Sequence, residues 1–122
     1  MSAAASVYQI ALPAPLHRLF DYLPPENAPV PVIGARVRVP FGPRRQAVGV
    51  VLGTATKSAL PRAKLKRIGE VLDSGPVVAD SLLALLRWAA EYYHHPIGEV
   101  IAAALPALLR QGRSPEAAAL TA

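Results

Sequence analysis

Gly34-Ala-Arg-Val-Arg-Val-Pro-Phe-Gly-Pro-Arg-Arg-Gln-Ala-Val-Gly-Val-Val-Leu52 is the stretch whose reading decides the fold. Ala35, Val37 and Val39 fall on one face of an extended chain, and Arg36 and Arg38 on the other. That period of two marks a strand with one buried and one wet face. Ala47-Val-Gly-Val-Val-Leu52 reads as a second, more fully apolar strand. Between them, the two prolines and the glycine of Pro40-Phe-Gly-Pro-Arg-Arg-Gln46 forbid regular pairing and favour a turn. The expectation is a β-hairpin that carries Arg36, Arg38, Arg44 and Arg45 on its wet face and tip. A solvated face explains four guanidiniums on one ribbon; so does a phosphate-binding surface.

Working outward, Val7-Tyr-Gln-Ile-Ala-Leu12 reads as a strand ended by Pro13 and Pro15. Leu16 to Leu23 has apolar residues at 16, 19, 20, 22 and 23, a period that fits a helical turn or a strand. Pro24-Pro25 closes it, and Pro29 and Pro31 keep the next stretch loop-like. On the other side of the hairpin, Thr54 to Pro61 is a polar connection. Leu65-Lys-Arg-Ile-Gly-Glu-Val-Leu72 reads as another strand, followed by the turn residues Asp73-Ser-Gly-Pro76. Beyond that, Asp80 or Ser81 is placed to cap a helix. Leu82, Leu86, Ala89 and Tyr93 recur at helical spacing, widened by Leu83, Leu85 and Ala90. Pro96 suits the start of a second helix, Ile97 to Leu105, which Pro106 limits. The fold class is therefore α+β: a small β-barrel-like or curled antiparallel sheet followed by C-terminal α-helices. Residues 1–6 are expected to be disordered, 7–76 β-rich, 77–111 helical, and 112–122 a linker or the start of a following domain.

The chain has 122 residues, is 52% hydrophobic and contains no cysteine. It can bury a core without disulfides, and thiolate zinc sites and cysteine nucleophiles are excluded. The first residues do not form a signal peptide, and no apolar run is long enough to span a membrane, so the expected location is cytoplasmic. The net charge of +5 is unevenly placed. Residues 1–67 hold ten Lys/Arg against Asp21 and Glu26, whereas residues 68–122 hold three arginines against six acids. Basic charge segregated into one half points to a polyanion partner.

Asp21 is then conspicuous. As a turn cap or ion-pair partner it is ordinary. In a basic groove, however, an ionised carboxylate only accepts hydrogen bonds. It repels an internal phosphodiester and accepts from a hydroxyl, and so distinguishes a free nucleic-acid end from a continuous strand. Phe20, Tyr22 and Phe41 offer base-stacking surfaces, with core packing as the plainer role, strongest for Tyr22. Gly42 lets a sugar approach the backbone, or simply makes the turn. Lys57, Arg62, Lys64, Lys66 and Arg67 form a second basic cluster, for phosphate or for solvent. His94-His95 lacks completing ligands for a metal. Trp88, Tyr92 and Tyr93 are expected to pack in the core or between helices. No P-loop, nucleophile elbow or paired-carboxylate spacing is visible, so no enzyme is read here.

Six stretches in order resemble the N-terminal region of the PriA family of bacterial primosomal replication-restart helicases. They are Leu19-Phe-Asp-Tyr-Leu23, Gly34-Ala-Arg-Val-Arg-Val-Pro-Phe-Gly42, Val48-Gly-Val-Val51, Leu65-Lys66 leading to Glu70-Val-Leu-Asp73, Trp88-Ala-Ala-Glu-Tyr-Tyr-His-His-Pro-Ile-Gly98, and Ala104-Leu-Pro-Ala-Leu-Leu-Arg-Gln111. The resemblance covers residues 7–111 and implies a 3′-DNA-end-binding domain, which holds the terminal nucleotide of a nascent leading strand with little base preference. It implies that Asp21 takes the terminal 3′-hydroxyl, that Lys66 helps hold the nucleotide, and that Phe20 and Gly42 shape the pocket. Arg36, Arg38, Arg44, Arg45 and Lys64 become the expected phosphate contacts. The implied partners are single-stranded DNA 3′ ends, forked DNA, single-strand-binding protein and other primosome proteins, in a bacterial cytoplasm at the nucleoid. No cofactor is expected in this chain; ATP, Mg and Zn belong to family domains whose motifs it lacks. Two other readings remain: an SH3-like basic barrel that binds RNA regardless of strand ends, and a protein-interaction module that docks through its helices.

Overall fold

The structure, a computed structural model, describes residues 7–26 and 28–112. In chain order the strands are β1 (Val7–Ala11), β2 (Phe20–Tyr22), β3 (Arg36–Pro40), β4 (Gln46–Ala55) and β5 (Glu70–Val71), and the helices are α1 (Asp80–Tyr93) and α2 (Ile97–Gly112). One 3-10 turn, Arg62–Lys64, precedes β5. The strands form one antiparallel sheet in the order β2-β1-β4-β3-β5. The hairpin follows its alternation: Arg36 lies opposite Val50, Val39 opposite Ala47, and residues 41–45 make the turn.

β4 is apolar from Ala47 to Gly53, and its buried centre, Gly49 to Leu52, is covered on both faces. Val51 joins Tyr8, Ile10, Leu12, Tyr22, Val37, Val39 and Ile68 on one side of the sheet. Val50 and Leu52 join Ala11, Val78, Leu83 and Ile101 on the side where the helices pack. A bulge at Gln9/Ile10 adds twist where β1 meets β4. The sheet curls far enough for its two edges to meet. The Leu23 amide donates to the Lys66 carbonyl at 2.8 Å, and the Ile68 amide donates to the Leu23 carbonyl at 3.0 Å. A single parallel bridge, Leu23 to Arg67, thus links the end of β2 to the approach of β5.

That bridge explains one departure from the sequence reading. Residues 65–72 are not one strand; only Glu70–Val71 pairs as β5. The segment serves two edges in turn, Leu23 through Arg67 and then Arg38 through Glu70, with the Gly69 amide already donating to the Arg38 carbonyl at 2.9 Å. The helices depart from the reading in two places. Ala79, in an extended conformation and without a side-chain cap bond, precedes α1, so neither Asp80 nor Ser81 is the cap. Asp80 instead puts its charge into the first turn, at the positive end of the helix dipole. Pro106 does not end α2, which continues to Gly112. Gly112, expected in the linker, is therefore helical; residues 1–6 and 113–122 lie outside the described residues.

α2 meets the sheet at Gly98. A Cβ on this buried residue would sit 1.6 Å from the Leu12 carbonyl oxygen. The missing side chain is what allows the first turn of α2 to lie against the end of β1.

Asp73, just after β5, clamps β3. Its carboxylate accepts from the Arg36 Nε at 2.9 Å, from Nη2 at 2.9 Å and from the Arg36 amide at 3.0 Å. Burial pushes the Asp73 pKa up, but the Arg36 bonds and charge outweigh it and hold the carboxyl below its ordinary value. A carboxyl depressed in the folded state stabilises it fully above the unfolded value, and that contribution is lost as pH falls through the native one. Asp73→Asn is expected to cost about 1–3 kcal/mol at neutral pH. The difference from wild type should shrink on acidification through the depressed pKa. Urea unfolding at neutral and acidic pH checks this; a pH-independent difference would exclude the ion pair as its source.

Candidate nucleic-acid interface

β2 is short, and its alternation sets the site. Tyr22 turns inward, buried, and its hydroxyl donates to the Pro40 carbonyl at 2.7 Å, tying β2 to the end of β3. Burial pushes the Tyr22 pKa up. Phe20, on the same side, is half-buried and meets Phe41 edge-to-face with ring centroids 5.3 Å apart. The Arg18 guanidinium lies over the outer part of this wall, 4.7 Å from the Phe20 centroid. Phe41 is held by the hairpin turn, where its amide donates to the Arg45 carbonyl at 3.0 Å. Gly42 has φ +85°, a region costly for any other residue, and the space where its Cβ would stand is open. Phe20 and the Phe41-Gly42 step are thus brought together across 21 residues of chain.

Asp21 faces the other way, opposite Gln9 of β1. It is half-buried, and Ser58 Oγ donates to its Oδ2 at 2.6 Å. Ser58 Oγ in turn accepts from the Leu60 amide at 3.1 Å, which fixes the hydroxyl. Sequence reasoning passes over Ser58 as part of a polar connection. It reaches Asp21 because β4 runs along β1 on one side, with Gly53 opposite Gln9, while β2 runs along the other. Only the strand order reveals that proximity.

Lys66 approaches from the edge bridge. Its carbonyl is bonded to the Leu23 amide, two residues from Asp21, and its side chain is exposed. Lys64, at the end of the 3-10 turn, is exposed too. The hairpin arginines divide into two pairs. Arg36 is held by Asp73, and Arg38 pairs with Glu70. Arg44 and Arg45 at the exposed tip enter no ion pair among the described residues, and neither do Lys64 and Lys66. The charge of the hairpin is therefore concentrated at its tip rather than spread along its face.

The aromatic residues of α1 differ from expectation. Trp88, Tyr92 and Tyr93 are 57%, 63% and 62% exposed. Trp88 stacks on Tyr92 at 5.1 Å, and Tyr92 meets Tyr93 at 4.9 Å. The helix turns Leu83 and Ala90 inward instead, because only one side of it faces the sheet and α2. His94 adopts a left-handed conformation, φ 57°, as the C-terminal cap of α1. The chain has no cysteine, and no three metal-ligating side chains cluster among the described residues. No described helix is long and apolar enough to cross a membrane.

Residues 9–106 match the family model described as the 3'DNA-binding domain (3'BD) of PriA. The chain is 43% identical over 108 residues to the replication restart protein PriA of Haemophilus influenzae, covering 88% of this chain and 14% of that protein. The PriA of Buchnera aphidicola from Schizaphis graminum is 29% identical over 105 residues, or 86% of this chain and 14% of that protein. The PriA of Bacillus subtilis is 34% identical over 77 residues, covering 62% of this chain and 9% of that protein. The chain thus spans about a seventh of the length of the first two. With residues 9–106 matched by the family model, the chain belongs to the PriA 3′DNA-binding domain family.

Proposed function

We propose that this chain holds the 3′ end of a DNA strand by its terminal hydroxyl, without base preference, as a non-catalytic module of a replication-restart helicase. The observation that carries the reading is Asp21. It is a carboxylate in the basic half of the chain that already takes a hydroxyl donor, Ser58, on Oδ2. A carboxylate has about four acceptor positions, so the bond to Ser58 leaves capacity for a second hydroxyl. A 3′-phosphate brings about one and a half to two negative charges against the same group and is repelled. The Phe20–Phe41 wall supplies an apolar surface suited to any base, since every base has a π-face. Gly42 leaves the backbone open beside it, and Lys66 is free to reach a phosphate. On this reading ATP, magnesium and zinc act in other parts of the longer protein, and forked DNA, single-strand-binding protein and other primosome proteins are its partners at the bacterial nucleoid. The exposed Trp88-Tyr92-Tyr93 face of α1 supports a second role in docking a protein.

The test is titration of one labelled single strand ending in either a 3′-hydroxyl or a 3′-phosphate, at fixed salt. Preference for the hydroxyl is expected; equal affinity would sink end recognition and leave a polyanion-binding barrel. The same titration over a salt series tests the hairpin tip. Arg44→Ala with Arg45→Ala should weaken binding to both strands and make the log–log salt slope less negative by about 0.7 for each phosphate that the arginines had neutralised. An unchanged slope would return both arginines to solvent.

A further inference from the structure

A cavity of about 300 Å³ opens between the residues before β2 and the junction of the two helices. His17, Arg18, Arg87 and His95 line it with the single acid Glu91, and Leu52 of β4 contributes to its apolar wall. Arg18 and Arg87 enter no ion pair among the described residues, although Glu91 stands one helical turn from Arg87. Two arginines and two histidines against one glutamate among the lining residues make a concave site whose charge balance favours an anion. Arg18 also connects it to the Phe20 wall, because this residue lines the cavity and its guanidinium lies 4.7 Å from the Phe20 ring centroid.

We propose that this cavity binds a backbone phosphate of the same DNA strand, upstream of its 3′ end, with Arg18 and Arg87 as the principal contacts and His17 and His95 beside them. The proposal rests on the end-binding reading and adds a second point of grip. The terminal group selects the end, and the cavity sets the direction in which the strand departs. An acidic peptide would satisfy the same charges, but it would gain nothing from continuity with the Phe20 wall.

The test uses the 122-residue chain and single strands with a 3′-hydroxyl, lengthened one nucleotide at a time from a dinucleotide. Wild-type affinity should step up at the length that first reaches the cavity. Replacing one phosphodiester at that position with a neutral methylphosphonate should remove the step. Arg87→Glu should lower affinity for strands beyond the step about tenfold or more, and Arg87→Ala and His95→Ala by smaller factors. All three should keep the wild-type preference for a 3′-hydroxyl over a 3′-phosphate. Arg87 and His95 are exposed, so the variants are expected to fold, and unchanged thermal unfolding checks that. Affinity that is flat with length, or a step indifferent to Arg87→Glu in a folded variant, would overturn the cavity's role. A wild-type chain with no end preference but an Arg87-dependent step would sink the end reading alone.

Discussion

Asp21→Ala is expected to lower affinity for a strand with a free 3′-hydroxyl about tenfold or more. A hydrogen bond to a charged acceptor contributes about 1.5–3 kcal/mol, and tenfold corresponds to about 1.4 kcal/mol. Affinity for the 3′-phosphate strand should stay level or rise, since a repelling charge is gone, so the ratio between the two ends should approach one. Asp21→Asn separates the two contributions. It retains a carbonyl acceptor for the hydroxyl but carries no charge, so it should keep part of the free-end affinity and lose most of the discrimination. Asp21 is half-buried on an edge strand, and its side-chain partner is one hydroxyl, so neither variant should unfold the domain. A ratio unchanged in Asp21→Ala would place end selection elsewhere in the chain.

Gly98→Ala should have the largest effect on stability. The added methyl would meet the Leu12 carbonyl oxygen at 1.6 Å, with the Leu12 carbonyl carbon at 2.5 Å and nitrogen at 3.0 Å. These are backbone atoms of a buried residue, and no rotamer change can clear them. α2 must lift from β1, opening the cluster in which Ile101 packs against Ala11, Val50 and Leu52. A loss of about 3 kcal/mol or more is expected, in the range of severe core substitutions. In a domain of this size that lowers Tm by more than about 10 °C. Thermal unfolding followed by circular dichroism measures it. A shift of only a degree or two would mean that α2 tolerates displacement and is not anchored at this residue.

The parts of the molecule with strong local patterns are legible in the sequence. Alternation in Arg36–Val39 and the Pro-Gly turn after it specify the hairpin, and helical spacing specifies α1. Charge context and resemblance single out Phe20, Asp21, Gly42 and Lys66, and the fold draws Phe20 to the Phe41-Gly42 step and Lys66 to the end of β2. What stays hidden depends on distant partners. Nothing near Arg36 or Arg38 announces that Asp73 and Glu70 neutralise them, 37 and 32 residues away. Ile68 and Val71 look like one strand because β-branched residues favour extended chain, yet the segment divides between two edges at Gly69. The stripe on α1 looks wide enough to bury Tyr93; the helix packs on one narrow side and leaves its aromatic residues in water.

The bridge between Leu23 and Arg67 also bears on how the molecule avoids its own kind. A sheet with two open margins offers unpaired amides and carbonyls on which another chain can add a strand, a route to aggregation. Here β2 has three residues and β5 has two, and the backbone bonds of Leu23, Lys66 and Ile68 fasten one margin to the other. The bridge that bonds Lys66 to Leu23 therefore also withdraws the most exposed template for strand addition. A substitution that loosens it would be felt first as loss of solubility, before any loss of DNA binding could be measured.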